Sequence, residues 1–441
     1  MALSSRCGGS SHVHLKKKPR PAATLSRRKV SAAASASSRE SPDSSLGDAT
    51  IDTPLACAQS VQTIITSVAR RRCSAHVAAL AAALNAQGGT LLDASAAQAA
   101  QNSHPYLVPL AVDFAGARVG LLIHPDVSSD ADPDTPFAQP IVREHARGAS
   151  LEVLARSPLE YVNAALVEED AETNATAIQD AVADIAGAAA AEFYYQPGEM
   201  ERAKLKLLPQ FLATRKIIAP RFAEMLANRH LQDGKNDVDS ALVTAEWYLS
   251  NLLSAGSEVP TTGLFGMIPH AFQVALLLDD RVDREEEARD AARLALWNGA
   301  WWMVKCYGSE QPKPAVEGGV APLPNLAALK KATGFDETIS PSELREFLEG
   351  EQSAARARAA SIALDAVTGG AGGASMDAAA PAAPDGAARI ASMLDAVASD
   401  AHATNRTSDW DWNQARRDVA DALRERGDEG AAELCEFYLV K

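Results

Sequence analysis

Residues 264–302 read LFGMIPHAFQVALLLDDRVDREEEARDAARLALWNGAWW, and the rest of the chain is read outward from them. Phe272, Ala275, Leu276 and Leu278 mark one helix, and the run 279–286 is a charged turn. Ala288, Ala291, Ala292, Ala295 and Leu296 then recur at helical spacing along one face of a second helix. Small residues on that face let two antiparallel helices approach closely, as hairpins of helical-repeat proteins require. Such hairpins are more often scaffolds for binding other macromolecules than sites of chemistry.

Upstream, residues 222–231 and 241–253 predict a second hairpin around a polar turn at 232–240. Ala241 and Ala288, each near the start of a second helix, are 47 residues apart. That exceeds the tetratricopeptide (TPR) period of about 34 residues, so the array is TPR-like and irregular. Before it, residues 176–194 and 205–218 read as helices broken at Gln196-Pro197-Gly198 and closed by Pro220. Downstream, a Pro/Gly loop at 308–326 precedes a helix over 343–367, and the low-complexity run 369–386 is expected to be disordered. Residues 387–397 resume a helix. A last pair, turning at Arg426-Gly427-Asp428, is expected to close the array as a capping repeat. Residues 171–441 are therefore expected to be an all-α helical-hairpin domain.

The N-terminal half has a different period. Val61, Ile64, Ile65, Val68, Val77, Leu80 and Leu84 are helically spaced, with Arg70-Arg71-Arg72 dividing the run and Gly88-Gly89 ending it. Residues 106–112 and 118–123 then read as strands around a turn at Asp113–Ala117, and Pro109 implies an edge strand or a bulge. Residues 140–143 and 151–154 flank a second turn at 145–148, and Ser157-Pro158 starts a helix. This predicts an α+β domain over 54–170, a meander of about four antiparallel strands covered by helices.

The first 39 residues hold nine basic side chains, no Asp or Glu, and much Ser and Ala. That composition is typical of organellar transit peptides. Val30-Ser31-Ala32 reads as a plastid processing site, so residues 1–32 are expected to be a chloroplast transit peptide and 33–53 a polar linker. Of the 42 basic residues only 33 lie beyond residue 39, against 57 acids, which leaves the body at −24. A nucleic-acid binder needs a cationic footprint, so this balance is adverse to RNA binding. No apolar run reaches the roughly 18–20 residues needed to span a bilayer. Aromatics at 5% are sparse, which implies alanine-spaced helix packing.

Candidate chemistry is thin. Asp279-Asp280-Arg281-Val282-Asp283 matches the DDxxD pattern with which prenyltransferases hold magnesium on a diphosphate. No second acidic motif accompanies it, and acids at a helix N-terminus are favoured by the dipole alone. Asp233, Asn236, Asp237 and Asp239 lack the central Gly and terminal Glu of a calcium loop. Gly369–Gly373 follows no strand and carries no Lys-Ser/Thr, so it is no phosphate loop. Cys57, Cys73, Cys306 and Cys435 show neither zinc spacing nor a CxxC pair, and read as free thiols, with Cys57 and Cys73 a conceivable redox pair. No cofactor or metal is expected. The aromatic group Trp247, Tyr248, Trp301 and Trp302, with Arg289 and Arg293 beside it, reads either as a seal between repeats or as a partner-binding surface.

Ala241–Tyr248 (ALVTAEWY), Glu287–Leu296 (EARDAARLAL) with Trp301-Trp302, and Val167–Ala171 (VEEDA) resemble a family of plant and green-algal chloroplast stromal proteins of uncharacterised function. The resemblance runs from about Val61 to the C-terminus, implies plastid import and the two-part layout, and carries no catalytic residue. The expectation is a stromal adaptor or assembly factor that binds protein partners through exposed members of that aromatic group. An organellar RNA-binding repeat protein and a magnesium-dependent diphosphate enzyme are the alternatives.

Overall fold

The computed structural model describes residues 53–92, 103–125, 127–145, 150–172, 175–187, 190–205, 207–232, 237–255, 284–297, 326–335, 339, 347, 350 and 412–439. The leader, the linker to residue 52, the first helix of the 264–302 hairpin with residues 279–283 of its charged turn, and the run 369–386 lie outside them.

Helix α1 (Pro54–Thr63) starts where the Thr53 hydroxyl accepts from the Ala56 N–H at 3.3 Å and Pro54 presets the first turn. It runs into a π-turn over Ile64–Val68 and stops where Arg70 takes φ +53°. The triple arginine therefore does divide the helical run. Helix α2 (Val77–Ala86), VAALAAALNA, is apolar on almost every side and is buried accordingly.

Five strands follow among the described residues: β1 (Thr90–Leu91), β2 (Leu107–Val112), β3 (Arg118–Leu122), β4 (Ile141–His145) and β5 (Ser150–Ala155). They pair in chain order as one antiparallel meander. The fifth strand, beyond the four expected, is β1, whose two residues are too short to leave a period in the sequence. Pro109 sits at a bulge, where the β2–β3 register slips between Pro109 and Ala111. Its partner Gly120 has no room for a side chain: a Cβ there would lie 2.2 Å from the Val108 carbonyl oxygen.

Side chains alternate across a sheet, and here the two faces feed two different cores. Val108, Leu110, Val119, Leu121, Ile141 and Leu154 point to the first. It is filled by α1, α2, α3 (Pro158–Glu172), α4 (Ala177–Ala186) and the chain onward through Phe222, with Leu434 and Tyr438 added from near the C-terminus. Leu107, Leu122, Val142, Leu151 and Val153 point to the second. That core is filled from much farther along the chain. Tyr248 and Leu252 come from α9 (Val238–Ala255), and the Ala288–Leu296 stripe from α10 (Glu285–Trp297). Leu329 comes from α11 (Leu326–Thr333), and Val419, Leu423, Ala431 and Cys435 from α12 (Trp412–Glu425) and α13 (Glu429–Phe437).

Two expectations shift accordingly. Residue 170 is no core boundary, because Ile178, Val182, Tyr194, Phe211 and Ile217 share the first core with α1 and α2. The closing hairpin, expected as the cap of an array, packs back on the sheet and the N-terminal helices. Gly430 lies so close to the π-turn that an added Cβ would sit 2.5 Å from the Ala69 carbonyl oxygen. The alanine face of α10 is buried as its spacing predicts, and α11 is packed against that helix. No helix among the described residues is long and apolar enough to cross a membrane.

Candidate partner-binding cleft

An apolar cleft opens where the chain leaves the first core. Helix α5 (Ala190–Phe193), α6 (Glu199–Arg202) and α7 (Leu208–Thr214) lead to it, and α7 ends in Arg215-Lys216, with Lys216 at φ +56°. The chain then runs extended through Ile217, Ile218 and Ala219 until Pro220 starts α8 (Pro220–Gln232). Pro209 and Ala213, Ile217 to Ala219, Phe222, Ala223 and Leu226, and Trp247 and Tyr248 of α9 line the cleft, which has room for about one water molecule.

A buried ion pair fixes the floor. Arg156 Nε lies 2.8 Å from Glu160 Oε2, and its Nη2 donates to the Lys216 carbonyl at 2.5 Å. The Ile218 N–H donates to Glu160 Oε1 at 2.6 Å. Burial raises the Glu160 carboxyl above its usual value, against the opposing pull of Arg156 and the Ile218 N–H. The rim is polar and already paired: Arg221 lies 4.5 Å over the Phe222 ring and 2.8 Å from Glu168, and Arg215 pairs with Glu199. Two exposed apolar side chains flank the mouth in sequence. Met225 (39% exposed) precedes the lining Leu226, and Val243 (63% exposed) stands one turn before Trp247 on the same helical face.

The expected partner-binding residues separate into three groups. Trp247 is half-buried and lines the cleft, whereas Tyr248 forms its back wall at 0% exposure and presents nothing to solvent. Arg289 and Arg293 are exposed on α10, opposite its alanine face, and do not line the cleft. Trp301 and Trp302 lie outside the described residues, as do Asp279, Asp280 and Asp283 of the DDxxD-like turn. The calcium-loop reading resolves partly: Asp237 accepts from the Ser240 N–H at 3.1 Å and hydroxyl at 2.7 Å, an ordinary helix cap. Among the described residues no group of three or more His, Cys, Asp or Glu is placed to hold a metal ion. Burial, helped by Asp134, pushes the Cys73 thiol up to about 12, which disfavours its thiolate.

Two buried arginines, neither of which stood out as a site in the sequence, hold the second core in place. Arg71 donates from Nη1 to the His124 carbonyl at 2.9 Å and to that of Val127, and from Nη2 to that of Pro125 at 3.1 Å. It also lies 3.4 Å from Asp428, the N-cap of α13. Arg416 of α12 is fully buried. It donates to the carbonyls of Cys435 at 3.1 Å, His104 at 3.3 Å and Ser103, and lies 5.3 Å over the Tyr438 ring. Glu144, the nearby carboxylate, accepts from the His104 N–H at 2.8 Å and the Ser103 hydroxyl at 3.1 Å, and pairs with Arg118 at 3.0 Å. Burial first, then Arg416 and His124, holds His104 well below its usual value and so neutral.

Comparison with known proteins places the cleft at the boundary between two family matches. No curated protein matches the chain, and no solved structure matches it. Residues 59–215 match the family model described as PAB N-terminal, and residues 220–315 match that described as PAB middle domain. The four residues between the two matches are Lys216–Ala219, the short connector that Arg156 and Glu160 hold. The chain is thus similar to a PAB N-terminal segment followed directly by a PAB middle domain, with the apolar cleft at their junction.

Proposed function

We propose that this chain is a protein-binding adaptor or assembly factor of the chloroplast stroma, and that its partner docks on the apolar mouth of the junction cleft at Trp247. The cleft's apolar lining carries the reading. With room for about one water molecule, it is far below the roughly 300–1,000 Å³ of small-molecule sites. A partner would meet the lining at its mouth, where half-buried Trp247 belongs to the residue type most enriched in binding hot spots. The basic, acid-free leader supports plastid import, and the acidic body supports a protein partner over a nucleic acid. A TPR-like hairpin array over residues 171–441 is the finer part of this proposal, with Arg289, Arg293, Trp301 and Trp302 as further contacts.

The test is a native pull-down from chloroplast stroma with tagged mature protein, with and without ribonuclease, followed by titration of the captured partner. Trp247→Ala should weaken that complex by about 2 kcal/mol, roughly thirtyfold. Unaltered affinity would remove the cleft from the interface. Loss of all partners on ribonuclease treatment would move RNA binding to first place. A magnesium-dependent ligand abolished by Asp280→Ala would instead favour the diphosphate enzyme.

A further inference from the structure

The turn between β2 and β3 carries Phe114 at 87% exposure, the highest among the described large hydrophobic residues. An exposed aromatic on a loose loop means little, but this turn is held from several sides. Asp113 Oδ1 accepts from the Ala115 and Ala117 N–H groups at 2.9 Å each. The Asp113 N–H donates to the Ala117 carbonyl at 2.8 Å, and the Gly116 N–H to the Asp113 carbonyl at 2.9 Å. Gly116 takes φ +81°, a conformation few side chains would tolerate. The other carboxylate oxygen of Asp113 forms an ion pair with Arg143 at 2.8 Å, which ties the turn to β4. The ring's neighbours in the turn are small and exposed, Ala115 and Gly116, and β1, which pairs with Val112, exposes Thr90. Phe114 is therefore a single exposed knob on a hydrogen-bonded turn.

We infer that Phe114 is an anchor that inserts into an apolar pocket, rimmed by basic residues, on a partner protein. Its turn is ordered before binding, so little conformational entropy is lost when the ring is buried. Aromatic anchors of few rotatable bonds are those that dominate interfaces. The basic rim follows from charge: beyond residue 39 the chain has 33 basic against 57 acidic residues. A lipid surface is the poorer occupant. Membrane anchoring takes a second signal such as a basic patch, and the neighbouring cations are engaged, Arg143 with Asp113 and Glu152 and Arg118 with Glu144. This inference rests on the adaptor reading and adds a contact on the head, separate from the cleft.

The experiment places the photoreactive p-benzoylphenylalanine in the full chain at position 114, at 247, or at 193. Phe193, also exposed on the same head, is the control. Each chain is irradiated in stromal extract and the cross-linked peptides are mapped. We expect one saturable product from position 114, absent from position 193, whose partner peptide is apolar and flanked by Lys or Arg. Excess wild-type chain should compete it away, and Phe114→Ser should do so at least tenfold less well while its melting temperature is unchanged. Products no different from the control, equal competition by Phe114→Ser, a cross-link to a second copy, or a lipid adduct would each overturn the inference. Cross-linking at 247 without 114 would leave the cleft standing and remove the knob; neither would remove both.

Discussion

The two faces of the sheet are covered in different ways. The first is closed mainly by helices within about one hundred residues of its strands, packed largely through Ala, Val and Leu, with only Leu434 and Tyr438 added from the closing hairpin. Its main buried ion pair, Arg156–Glu160, spans only four residues. The second is closed by helices from far along the chain, and its fixing points are arginines that reach backbone carbonyls across long separations. Arg416 meets Ser103 and His104 more than three hundred residues away, and Arg71 meets Asp428. Apolar packing alone is non-directional. A distant hairpin needs directional contacts to dock in one register, and a buried guanidinium on several carbonyls supplies them.

The largest expected effect that sharpens this contrast comes from Glu160→Ala. It leaves Arg156 buried without its carboxylate and should cost about 4 kcal/mol, read as a fall in urea midpoint. Arg416→Met should cost about 3 kcal/mol by leaving buried carbonyls unpaired. Amide exchange should then quicken in α12 and α13 while α2 stays protected. Equal loss of protection on both faces would show that they unfold as one unit and end the contrast. Gly430→Ala forces a Cβ against the Ala69 carbonyl and should cost about 1–3 kcal/mol. Proteolysis within 412–439 should rise with it; unchanged protection would mean the hairpin docks more loosely than the geometry shows.

The smallest effect is in pH, and it has opposite sign on the two sides. Glu160 has a raised folded pKa, so its contribution is fully present below the unfolded value of 4.5 and is lost as pH rises through the folded value. His104 has a depressed folded pKa, so its contribution is present above 6.5 and is lost as pH falls below it. Denaturant unfolding of Glu160→Gln and His104→Gln beside wild type, from pH 4 to 8, should show the two differences sloping in opposite directions. Parallel slopes would sink this assignment.

What was legible in the sequence was local. Pro54 and Pro158 start helices where expected, Asp113–Ala117 turns between strands, and Pro109 marks its bulge, because each is governed by its neighbours. The alanine stripe of α10 is buried as its spacing predicts. The second core was not legible, since nothing near Arg416 in sequence says that its carbonyl partners lie at Ser103 and His104. For the same reason a last hairpin that looked like a cap closes the sheet instead. Trp247 and Tyr248 stood out as aromatics, yet adjacent helical positions face different ways: one lines an opening and the other is sealed behind it. The remaining walls of the cleft, Ile217 and Phe222, carried no signal beyond an apolar pair beside Pro220.

The place of α12 and α13 also sets an order in time. A chain delivered from its N-terminus, whether by a ribosome or through a membrane pore, can assemble the first core, apart from Leu434 and Tyr438, once Phe222 has emerged. The second face is covered in stages, by Tyr248 and Leu252 soon afterwards but by Ala431 and Cys435 only after more than two hundred further residues, some tens of seconds at roughly 5–20 residues per second of synthesis. During that interval Leu107, Leu122, Val142, Leu151 and Val153 form an incompletely covered apolar strip on the sheet. This chain passes through an aggregation-prone stage each time it is made, and whatever shields that strip meanwhile is as much a part of its folding as the arginines that finally close it.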